Sequence, residues 1–248
     1  MCGICGLVLA GRERTPEDEI LRAMAAPLAS RGPDDEGFHR APGIGLGHRR
    51  LRVIDLEGGR QPMVDESGRI VLSYNGEIYN HRALRRELEG RGVRFRTRSD
   101  TEVLLAGYVA WGEGVLDRLS GMFAFALWDE RDETLLLARD HLGKKPLYWT
   151  SLADGGVAFA SEPDALAACP GVDVRVDPRA AAGYLSVGYV VGEASILAGI
   201  RRLAPASKLV WRRGGAPRTS RYWDLASVWA ARGLDGRGEP ELAEEFRG

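Results

Sequence analysis

The stretch "MFAFALWDERDETLLLARD", residues 122–140, restricts the fold of this chain more than any other. Two arms rich in aromatic and aliphatic residues flank the charged run "DERDE". That pattern predicts a β-hairpin with the charges at its turn. Other segments read the same way. "GICGLVLAG" is an apolar run ending in Gly, consistent with a buried strand at the terminus, and "GIGLGHRRLRVID" and "RIVLSYNGEIYN" read as extended. "PLYWTS" and "GVAFAS" add two short strands.

Helical spacing appears between them. Ile20, Leu21, Met24 and Leu28 recur on one face from Pro16 to Ser30, and a helix from about His81 to Glu89 buries Leu84 and Leu88. In "SDTEVLLAGYVAWG", Ser99 and Glu102 fit a capping box, and Val103, Leu104, Tyr108 and Trp111 hold one face. "DALAAC" and "PRAAAGYLS" are also helical in pattern. Many short strands, with helices interspersed but not in strict βαβ alternation, predict an α+β domain with mainly antiparallel sheets. The 248 residues suffice for one large domain, or one domain and a tail. After about Trp223 the sequence turns Gly/Arg-rich and then acidic, as in a flexible tail or the cut end of a linker.

Charge and composition remove several classes of function. With 34 basic against 35 acidic residues, the chain carries no electrostatic footprint for nucleic acid or a membrane surface. No apolar run approaches the roughly 18–20 residues needed to span a bilayer, and the N-terminus lacks the basic region of a secretory signal. Neither a P-loop nor GxGxxG is present. The expectation is a soluble cytoplasmic protein without nucleic-acid or membrane partners.

Cys2 and Cys5 stand in C-x-x-C spacing. A zinc site needs four ligands, usually as two pairs. Only Cys169 and the scattered His39, His48, His81 and His141 remain, with no matching second pair, so no metal is expected. A redox dithiol calls for a helix N-terminus, whereas this motif lies within a strand pattern. Burial as a small hydrophobe suits Cys5. Position 2 differs. Once Met1 is removed, Cys2 carries a thiol and a free α-amine, whose ordinary pKa of about 7.7–8.0 lets it act as a general base. One residue then supplies nucleophile and base together.

Nine segments extend that reading: "MCGICG", "RGPDDEG", "LGHRRLRVIDL", "GRQPM", "YNGEIYNH", "SDTEVLLAGY", "LSGMFAFALWD", "RDHLGKKPLYW" and "FASE", in this order. Together they resemble the N-terminal glutaminase domain of glutamine-dependent asparagine synthetase, a class II (N-terminal nucleophile) glutamine amidotransferase. The resemblance covers about residues 2–225 and is densest before residue 162.

The resemblance implies a role for each matching residue. Cys2 would attack the side-chain amide of L-glutamine, giving a γ-glutamyl thioester and ammonia. Asn75 and Gly76 would form the oxyanion hole, although Asn-Gly alone also suits a tight hairpin turn. Arg50 would grip the substrate α-carboxylate, while Arg49 and Arg52 are read as outward. Asp100 would receive the α-ammonium, and an acidic residue is favoured in the first turn of a helix in any case. Glu77 would line the same pocket, and Leu51, Val53 and Ile54 would form a strand beside the substrate or simply core. Arg31 and Asp34 are read as loop-ordering, Lys144 and Lys145 as exposed rather than catalytic, and Glu162 as either structural or functional.

The fold implied is a four-layer α/β/β/α sandwich of two antiparallel sheets, the N-terminal nucleophile hydrolase fold. Residues 2–225 would form the glutaminase, and 226–248 a linker or the start of a missing synthetase domain. "EPELAEEFRG" resembles the lead-in to that domain, and the S-G-G-x-D-S pyrophosphate loop is absent. The chain itself would then need no cofactor. ATP and Mg²⁺ would serve the synthetase, present in cis or as a separate chain, which amidates aspartate. A homodimer is compatible. Two alternatives remain at this point: a related amidotransferase with another carboxylate acceptor, and an inactive interaction module.

Overall fold

A computed structural model describes residues 1–53, 55 and 58–232. The N-terminal part runs β1 (Gly3–Val8), α1 (Asp18–Ala25), β2 (Asp35–Ala41) and β3 (Ile44–Arg50). Next come β4 (Met63–Val64), β5 (Ile70–Ile78), α2 (His81–Gly90) and α3 (Asp100–Trp111). The expected hairpin follows as β6 (Gly121–Asp129) and β7 (Thr134–Arg139), then β8 (Tyr148–Ser151) and β9 (Val157–Ala160). The remainder is α4 (Pro163–Ala167), α5 (Pro178–Val187), β10 (Arg201–Arg202), β11 (Ser207–Arg212), β12 (Arg218–Arg221) and α6 (Leu225–Arg232). Helix α6 falls on the start of the stretch read as a tail; residues 233–248, with "EPELAEEFRG", lie outside the described residues.

The strands form two six-stranded sheets, ordered β10-β8-β9-β1-β3-β2 and β12-β11-β7-β6-β5-β4, and every pair of neighbours is antiparallel. The hairpin sits at the centre of the second sheet. Asp129 pairs with Thr134 across its turn, and the Asp129 carboxylate accepts the Arg131 backbone N–H and guanidinium. Three apolar layers hold the sandwich together. Ile4, Val8, Ile44 and Leu46 of the first sheet meet Val71, Ala124, Trp128 and Trp211 of the second between the sheets. Leu21 and Met24 of α1, with Leu166 of α4, cover the outer face of the first sheet. Leu84 and Leu88 of α2, with Val103 and Leu104 of α3, cover Tyr74, Phe123 and Phe125 of the second. This is the expected α/β/β/α sandwich, built from the two-residue alternation of side chains along a strand.

That alternation also fixes where chemistry can sit. On β1, Ile4 and Val8 face the inter-sheet layer while Cys5 and Leu7 face the helices. By the same period Cys2 belongs to the inter-sheet side, as do His48 and Arg50 beyond Ile44 and Leu46, and Ser73 and Asn75 beyond Val71.

Two local expectations need correction. The capping box of α3 is only half formed. The Ser99 side chain accepts the Thr101 N–H, but the Glu102 carboxylate turns away from the cap to accept the backbone N–H groups of Arg96 and Thr97. These two donors precede the helix and have greater need of an acceptor than the cap N–H, which is already bonded to the Thr97 hydroxyl. Leu51 and Val53 do not continue a strand: β3 ends at Arg50, opposite Asp35, where β2 begins. With no neighbour left to pair with, the chain leaves the sheet. Ile54 lies outside the described residues.

Candidate active site

At one end of the inter-sheet layer a cleft of about 340 Å³ opens. Cys2, Arg50, Leu51, Val53, Asn75, Gly76, Glu77 and Asp100, all singled out in the sequence, line it together. Met1, Gln61, Tyr74, Thr101, Met122 and Lys145 are among the other lining residues.

Cys2 is held on both sides. Its sulfur accepts the Leu51 N–H at 3.4 Å, and its S–H donates to the Leu51 carbonyl at 3.6 Å. The Arg31 Nε donates to the Cys2 carbonyl at 3.1 Å, and Arg31 is itself anchored to Glu162 at 2.8 Å. Arg31 and Glu162 thus form a strap across the start of β1. Burial pushes the Cys2 thiol up, opposed by the Leu51 N–H, the N-terminal charge, Arg50 and Lys145. Cys5 is fully buried among α1, α4 and the first sheet, which pushes its thiol up to about 12.

Arg50 is buried beneath the cleft and donates from Nη2 to the Asp55 carbonyl at 2.6 Å. Its neighbours in sequence point elsewhere. Arg49 lies on the helix side, half-buried against Glu36 and the Ala25 carbonyl, and Arg52 is exposed beside Asp35. Arg49 is therefore less outward than expected, because α1 and β2 close over it. Asp34 accepts the Arg52 N–H and orders the turn after β3.

Asn75 and Gly76 do not form a hairpin turn. They lie inside β5, paired with Ala124 and Phe123. Asn75 is buried, and its Nδ2 has no hydrogen-bond partner among the described residues. The N–H and C=O of Phe123 go to Asp140, so Gly76 faces Phe123 in a pair without mutual hydrogen bonds and its own N–H points to the open edge of β5. On that edge the Tyr74 N–H has the Gln61 side chain as acceptor and the Ile78 N–H has Asp100, while the Gly76 N–H between them has none among the described residues. A Cβ on Gly76 would lie 2.3 Å from the Met122 carbonyl oxygen, so this closely approached position requires glycine.

Asp100 begins α3 and is buried. Its Oδ2 accepts the Tyr74 hydroxyl at 2.8 Å and the Ile78 N–H at 3.0 Å, with no partner for Oδ1 among the described residues. Burial, and then the Asp100 charge, push the Tyr74 hydroxyl well above its ordinary value. Tyr74 therefore stays a donor and fixes the carboxylate.

Lys145 corrects the sequence reading. Lys144 is exposed, but Lys145 is only 6% exposed and turns into the cleft. Burial lowers its ammonium pKa, while Glu77 and Cys2 raise it and Arg31 lowers it further. Side by side in "GKKP", the two lysines look alike, and only the backbone around them decides which is buried.

A sequence model of the glutamine amidotransferase domain matches residues 1–223. A glutamine-hydrolyzing asparagine synthetase (number 3) of Bacillus subtilis is 39% identical over 230 residues, which are 92% of this chain and 37% of that protein. Another from Arabidopsis thaliana, also number 3, is 42% identical over 166 residues, 67% of this chain and 28% of that protein. The chain thus spans about a third of the length of such relatives. Among solved structures, glutamine phosphoribosylpyrophosphate amidotransferase from B. subtilis, complexed with ADP and GMP, superposes with a TM-score of 0.62 at 20% identity. That match covers 90% of this chain and 49% of the other, and it bears on the fold alone.

Proposed function

The chain belongs to the glutamine amidotransferase domain family, and from that membership we propose that it hydrolyses L-glutamine to glutamate and ammonia at Cys2. The observation that carries the reading is the pair of unfilled donors, Asn75 Nδ2 and the Gly76 N–H, in the cleft that holds the Cys2 sulfur. A buried donor without an acceptor is costly unless something else fills the position, and a developing oxyanion does so.

With Met1 removed, the Cys2 α-amine takes the thiol proton as sulfur attacks the amide carbon. Asn75 and Gly76 hold the resulting oxyanion. The ammonium returns its proton to the amide nitrogen, the C–N bond breaks, and ammonia leaves a γ-glutamyl thioester. Water, deprotonated by the same amine, then attacks the thioester and releases glutamate and the thiol. A base is needed because burial disfavours the free thiolate. Arg50 takes the substrate α-carboxylate and Asp100 Oδ1 its α-ammonium, with Glu77, Leu51 and Val53 along the wall.

We assign the ammonia to a synthetase domain, in cis or on a separate chain, that uses ATP and Mg²⁺ to amidate aspartate in the cytoplasm. The names of the relatives, and the larger part of their length that lies beyond the matched region, support this assignment. No described helix is long and apolar enough to cross a membrane.

The test is glutamate release from glutamine by the purified chain, together with intact mass. Loss of Met1 and measurable turnover are expected, and Asn75→Ala should lower kcat about 10²–10³-fold. Unchanged kcat in that variant, or a chain active with Met1 retained, defeats the mechanism.

A further inference from the structure

The loop after β7 is clamped from two sides. The Asp140 carboxylate accepts the N–H groups of Phe123, Leu142, Lys144 and Lys145, at 3.2, 3.1, 2.9 and 2.9 Å. The Arg139 guanidinium donates to the carbonyls of Lys145, Gly143 and Leu203, at 2.7, 2.6 and 2.7 Å. Pro146 follows directly and restricts Lys145 to extended backbone. This rigid construction directs one lysine into the cleft and leaves the other outside.

The ammonium it delivers has no carboxylate within ion-pair distance among the described residues, although it is buried. The other charges around Cys2 are engaged. Arg31 is paired with Glu162, Arg50 donates to the Asp55 carbonyl, and Asp100 is bonded by Tyr74 and Ile78. Glu77, on β5, lines the same cleft, and its charge acts on Lys145 more than any other without forming an ion pair with it. A fixed, desolvated positive charge facing a sulfur favours the thiolate, and it equally disfavours a proton on the α-amine that Met1 removal exposes.

We propose that Lys145 is a positioning residue of this site, its ammonium acting as the fixed charge that opposes the effect of burial on Cys2 and holds that residue in its reactive state. The proposal rests on the reading of Cys2 as the nucleophile and adds a group that sets when that nucleophile is ready. Lys145 is not assigned any grip on the substrate, so its effect belongs in the pH dependence and in kcat rather than in KM.

The experiment follows the rate of Cys2 alkylation by iodoacetamide against pH, read by peptide mass, in the full chain. Cys5 and Cys169 are buried and serve as internal controls. Lys145→Met should raise the midpoint of the alkylation profile by about one pH unit, the order expected for one nearby charge removed. Lys145→Arg should stay near the parent, and Lys145→Gln supplies a second neutral variant if the methionine one folds poorly. A midpoint unmoved in a folded neutral variant overturns the proposal. So does an equal shift in Lys145→Arg, since that would make packing and not charge the cause. Glutamine turnover measured alongside separates the two readings. An alkylation shift in a chain that hydrolyses no glutamine supports the role of Lys145 and overturns the glutaminase reading alone.

Discussion

The two ends of the inter-sheet layer are made of the same strands and end in opposite states. At the far end, Val8 pairs with Ile44 and Val157, and Trp128 and Trp211 flank Leu135. Trp211 donates from Nε1 to the Gly155 carbonyl, and Arg213 caps that end by donating to the carbonyls of Leu9, Ala10 and Gly11. At the near end the same alternation presents Cys2, Arg50 and Asn75, and the layer opens into the cleft. One end is sealed by packed side chains and the Arg213 cap; the other opens into a cleft and leaves Asn75 Nδ2 without a partner among the described residues. The sealed end gives the open end its precision, because β1, β3, β5 and β6 run through both and cannot shift at one without disturbing the other.

The sharpest way to break this comparison lies on one strand. Cys2→Ala should reduce glutamine hydrolysis by about 10⁴-fold or more, since it removes the nucleophile outright. Cys5→Ala, on the opposite face of β1, should keep most of the activity and cost about 1–2 kcal/mol of stability for a small buried side chain lost. A steady-state assay paired with urea denaturation checks both. Equal loss of activity in the two variants would end the distinction between the faces and revive a shared role for the C-x-x-C pair.

The sealed end predicts the reverse pattern. Trp211→Ala should destabilise the fold by about 3–5 kcal/mol, as expected for a large buried aromatic, while folded molecules keep near-parental kcat at low temperature. Trp211 is fully buried and far along the layer from Cys2. A large loss of kcat without loss of stability would show that the two ends are not divided in this way.

What could be seen in the sequence follows the same division between sealed and open. The hairpin of β6 and β7, strand β1 and strand β5 are legible because their apolar residues are dense and their turns charged. Strand β2, "DEGFHRA", was missed because it is an edge strand with no buried residue, and β12, "RTSR", is exposed throughout. Edge strands carry polar residues for good reason and so resemble loops. At the site, the motifs led to Cys2, Arg50, Asn75, Gly76 and Asp100, which the structure places around one cleft. Tyr74, Gln61 and Lys145 were not foreseen. Tyr74 reads as strand core, and the burial of Lys145 depends on its carbonyl accepting from Arg139 and its N–H donating to Asp140, which no local pattern reveals.

His48 stands where the two ends meet and gives the smallest of these effects. It is buried on β3, with Nδ1 3.3 Å from the Ser73 hydroxyl. That hydroxyl donates to the Gly47 carbonyl, so it can only accept from the ring, and the proton of the neutral imidazole resides on Nδ1. Nε2 is left without a partner among the described residues. Protonation there would bury a second donor and a charge close to Arg50; burial first, and then Arg50, push the His48 pKa down to about 3. The unfolded chain takes up this proton near pH 6.5, so below that pH the unfolded state binds more protons and stability falls with falling pH. The loss continues down to about pH 3 and amounts to about 2 kcal/mol at pH 5. His48→Asn keeps a donor for Ser73 and has nothing to titrate, so its urea midpoint should fall less than that of the parent between pH 7 and 5. Parallel pH dependence in the two proteins would remove His48 as the acid-sensitive seam and leave the carboxylates to account for the loss.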